Sequence, residues 1–172
     1  SMRPKNAGKW MVSDSRFGLF VHASLGLAVE NSGKLVSRVR QEAKERAKRA
    51  AIPLVLTDGP PGIGCPAIAT VTGADMVLAV TEPSLSAMHD LERLISLCGH
   101  FRVPLAVCIN KSTINPVNTA NLQVRLNSAQ IPVAGEIPFH DDFRLSLQRG
   151  LTIMEAGDTQ VREKVLELWA NV

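Results

Sequence analysis

The segment Leu54-Val-Leu-Thr-Asp-Gly-Pro-Pro-Gly-Ile-Gly-Cys65 carries an apolar run straight into an acid and a rigid Pro/Gly turn. In open parallel sheets ligands collect outside the carboxyl ends of the strands, so Asp58 stands where phosphate-handling α/β proteins place a magnesium-associated aspartate. No G-x-x-x-x-G-K-[ST] phosphate loop occurs in the 172 residues. The backbone cradle that accompanies such an aspartate is therefore not encoded in this sequence.

Outward from this segment, short Val/Leu/Ile-rich runs alternate with amphipathic stretches. Leu54 to Thr57, Met76 to Val80, Leu105 to Ile109 and Val133 to Ile137 are each followed by polar or turn residues, and Phe17 to Val21 is a further strand candidate. Continuous apolar runs, as opposed to alternating ones, indicate strands covered on both faces, the parallel-sheet case. Between them, Leu35, Val39, Ala43 and Ala47 recur every four residues and predict a helix over 34–51 with a basic outer face. Met88, Leu91, Ile95 and Cys98 predict a helix over 86–98 that stops at Gly99. A polar helix is expected over 115–130 on Leu122 and Leu126. A last one carries Val161, Val165, Leu168 and Trp169, with Asp158 or Thr159 as its N-cap. Strand–helix alternation at this spacing predicts right-handed βαβ units and an α/β fold: a mostly parallel sheet with helices on both faces.

Length and composition set the bounds. At 172 residues and 45% hydrophobic content, one domain spanning 1–172 is expected. Nineteen basic against sixteen acidic side chains leave a net charge of +3, too small to name an anionic partner. Five Phe, two Trp and no Tyr make a base-stacking platform hard to build, so no nucleic acid is expected as a partner. Cys65, Cys98 and Cys108 form no C-x-x-C pair, and the four histidines show no H-x-x-x-H spacing, so neither a zinc ribbon nor an iron–sulfur ligand set is encoded. Free thiols, no signal-peptide pattern and no apolar run of about 18 residues lead to the expectation of a reduced, cytoplasmic chain without a membrane span. Ser1 ahead of Met2 reads as a residue left by tag cleavage.

At the predicted strand ends lie Asp58-Gly59-Pro60-Pro61-Gly62, Thr81-Glu82-Pro83, Asn110-Lys111 and Pro138-Phe139. Asp58 suits a magnesium-bound water, since Mg²⁺ keeps much of its hydration shell and takes few carboxylates; it equally suits a turn that caps the next helix. Asn110 pairs a donor with an acceptor, as a purine edge requires, and Lys111 offers an aliphatic stem to lie against a ring; a plain strand-terminating turn explains both as well. Glu30-Asn31-Ser32-Gly33-Lys34 superficially resembles a phosphate loop, but position 28 is alanine and Leu35 follows the lysine. A helix start with exposed amides and Lys34 remains, an anion site or a simple cap. Cys65 reads first as a small packing residue and second as a nucleophile.

Taken together and in order, Val29-Glu-Asn-Ser-Gly-Lys-Leu-Val36, Asp58-Gly-Pro-Pro-Gly-Ile-Gly-Cys-Pro66, Thr72-Gly-Ala-Asp75, Thr81-Glu-Pro-Ser84, His89-Asp-Leu-Glu-Arg93 and Ile109-Asn-Lys111 closely resemble the MinD/ParA-like (SIMIBI-type) P-loop ATPases that carry a ferredoxin insertion. These are the cobyrinic acid a,c-diamide synthase or CobQ/CobB-type nucleotide-binding domains. The resemblance covers nearly the whole chain. It implies an ATP- and Mg-binding domain tied to iron–sulfur or electron-transfer chemistry and dimerising around nucleotide. Asp58 would be the magnesium-side aspartate and Gly59 to Gly62 the switch turn. Asn110, Lys111 and Pro138 would form the adenine pocket, and Lys34 would be a phosphate or interface contact. Family members begin with a P-loop strand and a cysteine-rich insert, and the sequence here corresponds to the part after both. The resemblance thus implies no cluster in this chain and no ATP hydrolysis by it alone. It also implies a sheet edge to be closed by a second copy, by the chain's own N-terminal segment, or by a separate P-loop-bearing chain. Two other readings stand beside it: a non-catalytic protein-interaction module on the same scaffold, and a piece of a complete ATPase.

Overall fold

A computed structural model describes residues 8–25 and 32–172. Glu30 and Asn31 lie outside the described residues. The chain divides into two compact units on either side of the Ala74–Asp75 bond.

The first unit opens with an antiparallel hairpin, β1 (Gly8–Ser15) and β2 (Gly18–Leu25), followed by α1 (Ser32–Arg49) and α2 (Cys65–Val71). The strand expected at 17–21 exists, but it pairs antiparallel with a segment that sequence reading had not assigned. The two-residue turn Arg16-Phe17 carries no Asn-Gly or Asp-Gly signal. It is closed instead by Ser15, whose hydroxyl donates to Gly18 O at 2.7 Å and accepts from Phe17 N at 3.2 Å. Helix α1 forms where the four-residue repeat predicts, and its basic side chains are not all solvated. Arg40 Nη1 donates to Ala69 O and Thr72 O, both at 2.6 Å, and Lys44 Nζ to Gly73 O at 2.6 Å. They supply cationic donors where the last carbonyls of α2 lack intrahelical partners. Glu42, 6% exposed, is held between Arg46 at 2.8 Å and Arg38 at 3.4 Å.

The expectation of a strand at Leu54–Thr57 is corrected. Residues 52–60 belong to no strand or helix, and Leu54 and Leu56 are 54% and 82% exposed. An apolar run becomes a strand only when a neighbour completes its hydrogen-bond ladder, and no described residue does so.

The second unit alternates β3 (Val77–Thr81), α3 (Leu85–Phe101), β4 (Leu105–Asn110), α4 (Pro116–Ser128) and β5 (Val133–Ile137). Two short helices, α5 (Asp142–Gln148) and α6 (Ile153–Ala156), and the final α7 (Thr159–Ala170) complete it. The strands form a parallel sheet in the order β3-β4-β5. Helix starts are set by side-chain caps: Ser84 accepts from Ala87 N, Asn115 from Asn118 N and Asp158 from Gln160 N. Helix α3 runs through Gly99 and ends at Phe101, with Arg102 left-handed at φ 55°. Pro104 disfavours helical geometry at Val103, so the stop comes from the proline and not from the glycine.

One face of the sheet is the core. Ala79, Val107 and Ile109 pack with Met88 and Leu91 of α3 and Leu122 and Leu126 of α4. On the other face, Leu168 of α7 lies directly over Gly135. Among the described residues no helix is long and apolar enough to cross a membrane.

Candidate functional site

The carboxyl ends of β3, β4 and β5 are level, because the register pairs Thr81 with Ile109 and Asn110 with Ile137. Asn110, Lys111 and Pro138, predicted from separate stretches of sequence, meet there. Ser112 N donates to Ile137 O at 3.0 Å and Phe139 N to Thr113 Oγ1 at 3.0 Å, which ties the segment after β4 to the segment after β5. Thr119 Oγ1 of α4 donates to Ser112 O at 2.7 Å and fixes the loop from below. Lys111 takes a left-handed conformation at φ 53°, uncommon for a residue with a side chain. Asn110 supports it, with Oδ1 accepting from Lys111 N at 2.9 Å. The carboxamide oxygen thus has an internal partner, and the two N–H donors of Nδ2 are the end that suits an acceptor on a ligand.

Glu82, which sequence reading placed at the end of β3 without a role, reaches the same point. Its Oε1 lies 2.6 Å from Lys111 Nζ, a bridge between the ends of two neighbouring strands. Nothing in the local sequence announces this pairing, since the two residues are 29 positions apart. On the β5 side an open groove of about 490 Å³ shares Ser112 and Pro138 with this site and is also lined by Gly135, Glu136, Lys164 and Asn171.

Lys34, Asp58, Gly59 and Gly62 belong to the first unit. Lys34 sits in the first turn of α1 beside the start of α2, where a Cβ on Gly33 would come 3.1 Å from Cys65 O. Asp58 and Gly59 are exposed. Gly59 abuts Thr70 of α2, where a Cβ would meet Cγ2 at 2.9 Å, and Gly62 adopts φ 83°, a conformation that favours glycine. The turn expected from Asp58 to Gly62 therefore depends on its glycines. Among the described residues no cluster of three or more His, Cys, Asp or Glu is gathered as for a metal ion.

The cysteines divide by exposure. Cys65 is exposed, whereas Cys98 and Cys108 are buried. Burial pushes the Cys108 thiol up to about 11, with the Glu136 carboxylate adding to the shift, and burial also raises Cys98. At pH 8 iodoacetamide is expected to alkylate Cys65 alone in the folded chain, as peptide mass analysis would show. Folding favours the protonated thiol when the folded pKa lies above the ordinary 9.0. That stabilisation is intact below pH 9 and is lost as pH rises through 11. The urea midpoint should accordingly fall between pH 9 and 11, and by less in Cys108→Ala measured against its own pH 8 value.

No protein-family model matches the chain. An uncharacterized protein of Methanocaldococcus jannaschii is 28% identical over 152 residues, 88% of this chain and 50% of its own length. Among solved structures, the MinD cell division protein of Aquifex aeolicus superposes with a TM-score of 0.67 at 19% identity, covering 91% of this chain and 66% of that one. The septum site-determining protein MinD of Pyrococcus horikoshii, complexed with Mg-ADP, gives 0.62 at 14% identity, covering 82% and 59%. The chain thus spans half the length of its curated relative and less than two thirds of the Pyrococcus structure. The parallel sheet with flanking helices, its level strand ends and these superpositions together give the chain the α/β fold of the MinD-like P-loop NTPases.

Proposed function

We propose that this chain is the base-binding portion of a MinD/ParA-like ATPase of the ferredoxin-inserted, CobQ/CobB-like group, serving iron–sulfur or electron-transfer chemistry. The observation that carries the reading is the convergence of Asn110, Lys111 and Pro138 at the level strand ends of a sheet with the MinD-like fold. The donor set fits a purine: Asn110 Nδ2 offers N–H groups to a ring acceptor, the Lys111 stem offers an apolar edge, and Pro138 closes the side toward β5. Asp58 takes the magnesium side through a bound water, Gly59 to Gly62 form the turn near the terminal phosphate, and Lys34 is a phosphate or interface contact. Magnesium, when bound, offsets phosphate charge.

Phosphoryl transfer depends on placing phosphates with loop amides and a lysine. Because the sequence holds no Walker A loop, this chain alone binds nucleotide without hydrolysing it. Hydrolysis belongs to an assembly in which a P-loop-bearing partner supplies the cradle. The same absence favours one other reading, a non-catalytic interaction module on this scaffold.

Calorimetric titration with Mg-ATP separates the two. Binding is expected, weakened in Asp58→Ala. It should be matched by a stability gain of about 2.7 kcal/mol at a hundredfold excess over Kd. Absence of both heat and stabilisation would transfer the chain to the interaction-module reading.

A further inference from the structure

The Lys111–Glu82 bridge has a chemical consequence for the strand-end site. We infer that Glu82 is a positioning residue: by binding the Lys111 ammonium it lays the lysine stem across the end of the β3–β4 pair, so that Lys111 meets a nucleotide base through its methylenes and not through its charge. This rests on the nucleotide-binding reading above and adds to it the residue that orients the base-contacting side chain.

Glu82 is well placed to act as a fixed anchor. It follows Thr81, which is 6% exposed, and precedes the buried Pro83. Its own carbonyl accepts from Ser84 N at 2.8 Å in the tight turn that starts α3. The Pro83 carbonyl accepts from Asn118 Nδ2 of α4 at 3.1 Å, which ties the turn to a second helix. Lys111 is fixed at its other end by the Asn110 carboxamide and a left-handed backbone. A long flexible side chain held at both ends loses its rotamer freedom before any ligand arrives, which lowers the entropic cost of binding.

The geometry also decides which part of Lys111 is offered. At 2.6 Å from Oε1 the ammonium has a carboxylate partner, so contact with a phosphate would require that pair to open. The stem is not so engaged, and the lysine side chain remains 39% exposed. A flat ring set against it covers apolar methylenes while the charge stays paired.

The test is a Mg-ATP titration of the whole chain and four variants, each checked by thermal unfolding. Every variant keeps a side chain at 111, so the cost of the left-handed backbone is common to all of them. Lys111→Ala, which removes the stem, should weaken binding about tenfold, the effect of one lost apolar contact of this size. Lys111→Met keeps a stem but loses the anchor to Glu82, so it should weaken binding about as much as Glu82→Gln and less than Lys111→Ala. Glu82→Gln should weaken binding about two- to fivefold, the range that a partly exposed ion pair supports. In the double variant Glu82→Gln/Lys111→Ala the glutamate change should add nothing, since its effect passes through the lysine.

The inference is overturned if Lys111→Met is as damaging as Lys111→Ala, because the charge would then be what matters. It is equally overturned if Glu82→Gln is silent or if the two effects add in the double variant. A failure of the unsubstituted chain to bind Mg-ATP is a different result, which removes the nucleotide-binding reading and this inference with it.

Discussion

Ile109→Ala is expected to lower the unfolding free energy by about 2–5 kcal/mol, the range for truncating a fully buried branched aliphatic side chain. Ile109 is 0% exposed on the central strand, packed with Val107 and Ala79 beneath the α3 and α4 residues Leu91, Leu122 and Leu126. Truncation removes the transfer free energy of three carbons and leaves a cavity that rigid parallel neighbours on both sides cannot collapse to fill. Urea unfolding followed by far-ultraviolet circular dichroism should show a lower midpoint with an unchanged slope, the pattern of lost stability with the same surface exposed. A change below about 1 kcal/mol would mean that this cluster is not the packed centre of the unit.

Gly135→Val is expected to destabilise by about 1–3 kcal/mol through overpacking, with detachment of α7 as the structural outcome. A Cβ at position 135 would lie 3.2 Å from Leu168 Cβ and 3.3 Å from Leu168 Cα. The second contact is backbone, so rotation of a side chain cannot relieve it. Gly135 shows no left-handed φ and sits inside β5, where valine is otherwise favoured. The strand therefore accepts the substitution and only the helix refuses it. Amide exchange should report faster opening of α7, including the end where Asn171 Nδ2 donates to Ala134 O at 2.9 Å. If α7 stays protected in Gly135→Val, the helix has room to shift and the close approach is not a constraint.

The two substitutions probe opposite faces of one sheet, and they differ in how far sequence anticipates them. Ile109 lies in an apolar run that reads as a covered strand, and the stripe Met88, Leu91, Ile95, Cys98 announces the helix above it. Gly135 sits in Val133-Ala-Gly-Glu-Ile137, where a glycine signals only some close approach. That the neighbour is Leu168, 33 positions away, is a tertiary fact.

The site shows the same division. That Asn110, Lys111 and Pro138 fall at neighbouring strand ends was legible because each directly follows or closes an apolar run that reads as a parallel strand. The Glu82–Lys111 bridge was not, since long-range pairing leaves no periodic trace. The four-residue repeat places the basic side chains of α1 on its outer face, yet Arg40 and Lys44 hold the carbonyl end of α2. The strand expected at 54–57 did not form.

Local chemistry fixed what is local. Side-chain hydroxyls, amides and carboxylates cap α3, α4 and α7 by hydrogen bonds within three residues, and apolar runs make β3, β4 and β5 because each can be covered on its core face by the helix that follows or precedes it. Tertiary structure alone decided which segments find a hydrogen-bonding neighbour. Residues 8–15 gained one across a turn with no strong signal, while 54–57, more apolar, are unpaired among the described residues. A strand's hydrogen bonds belong to two segments at once, and hydrophobicity along one of them does not specify the other.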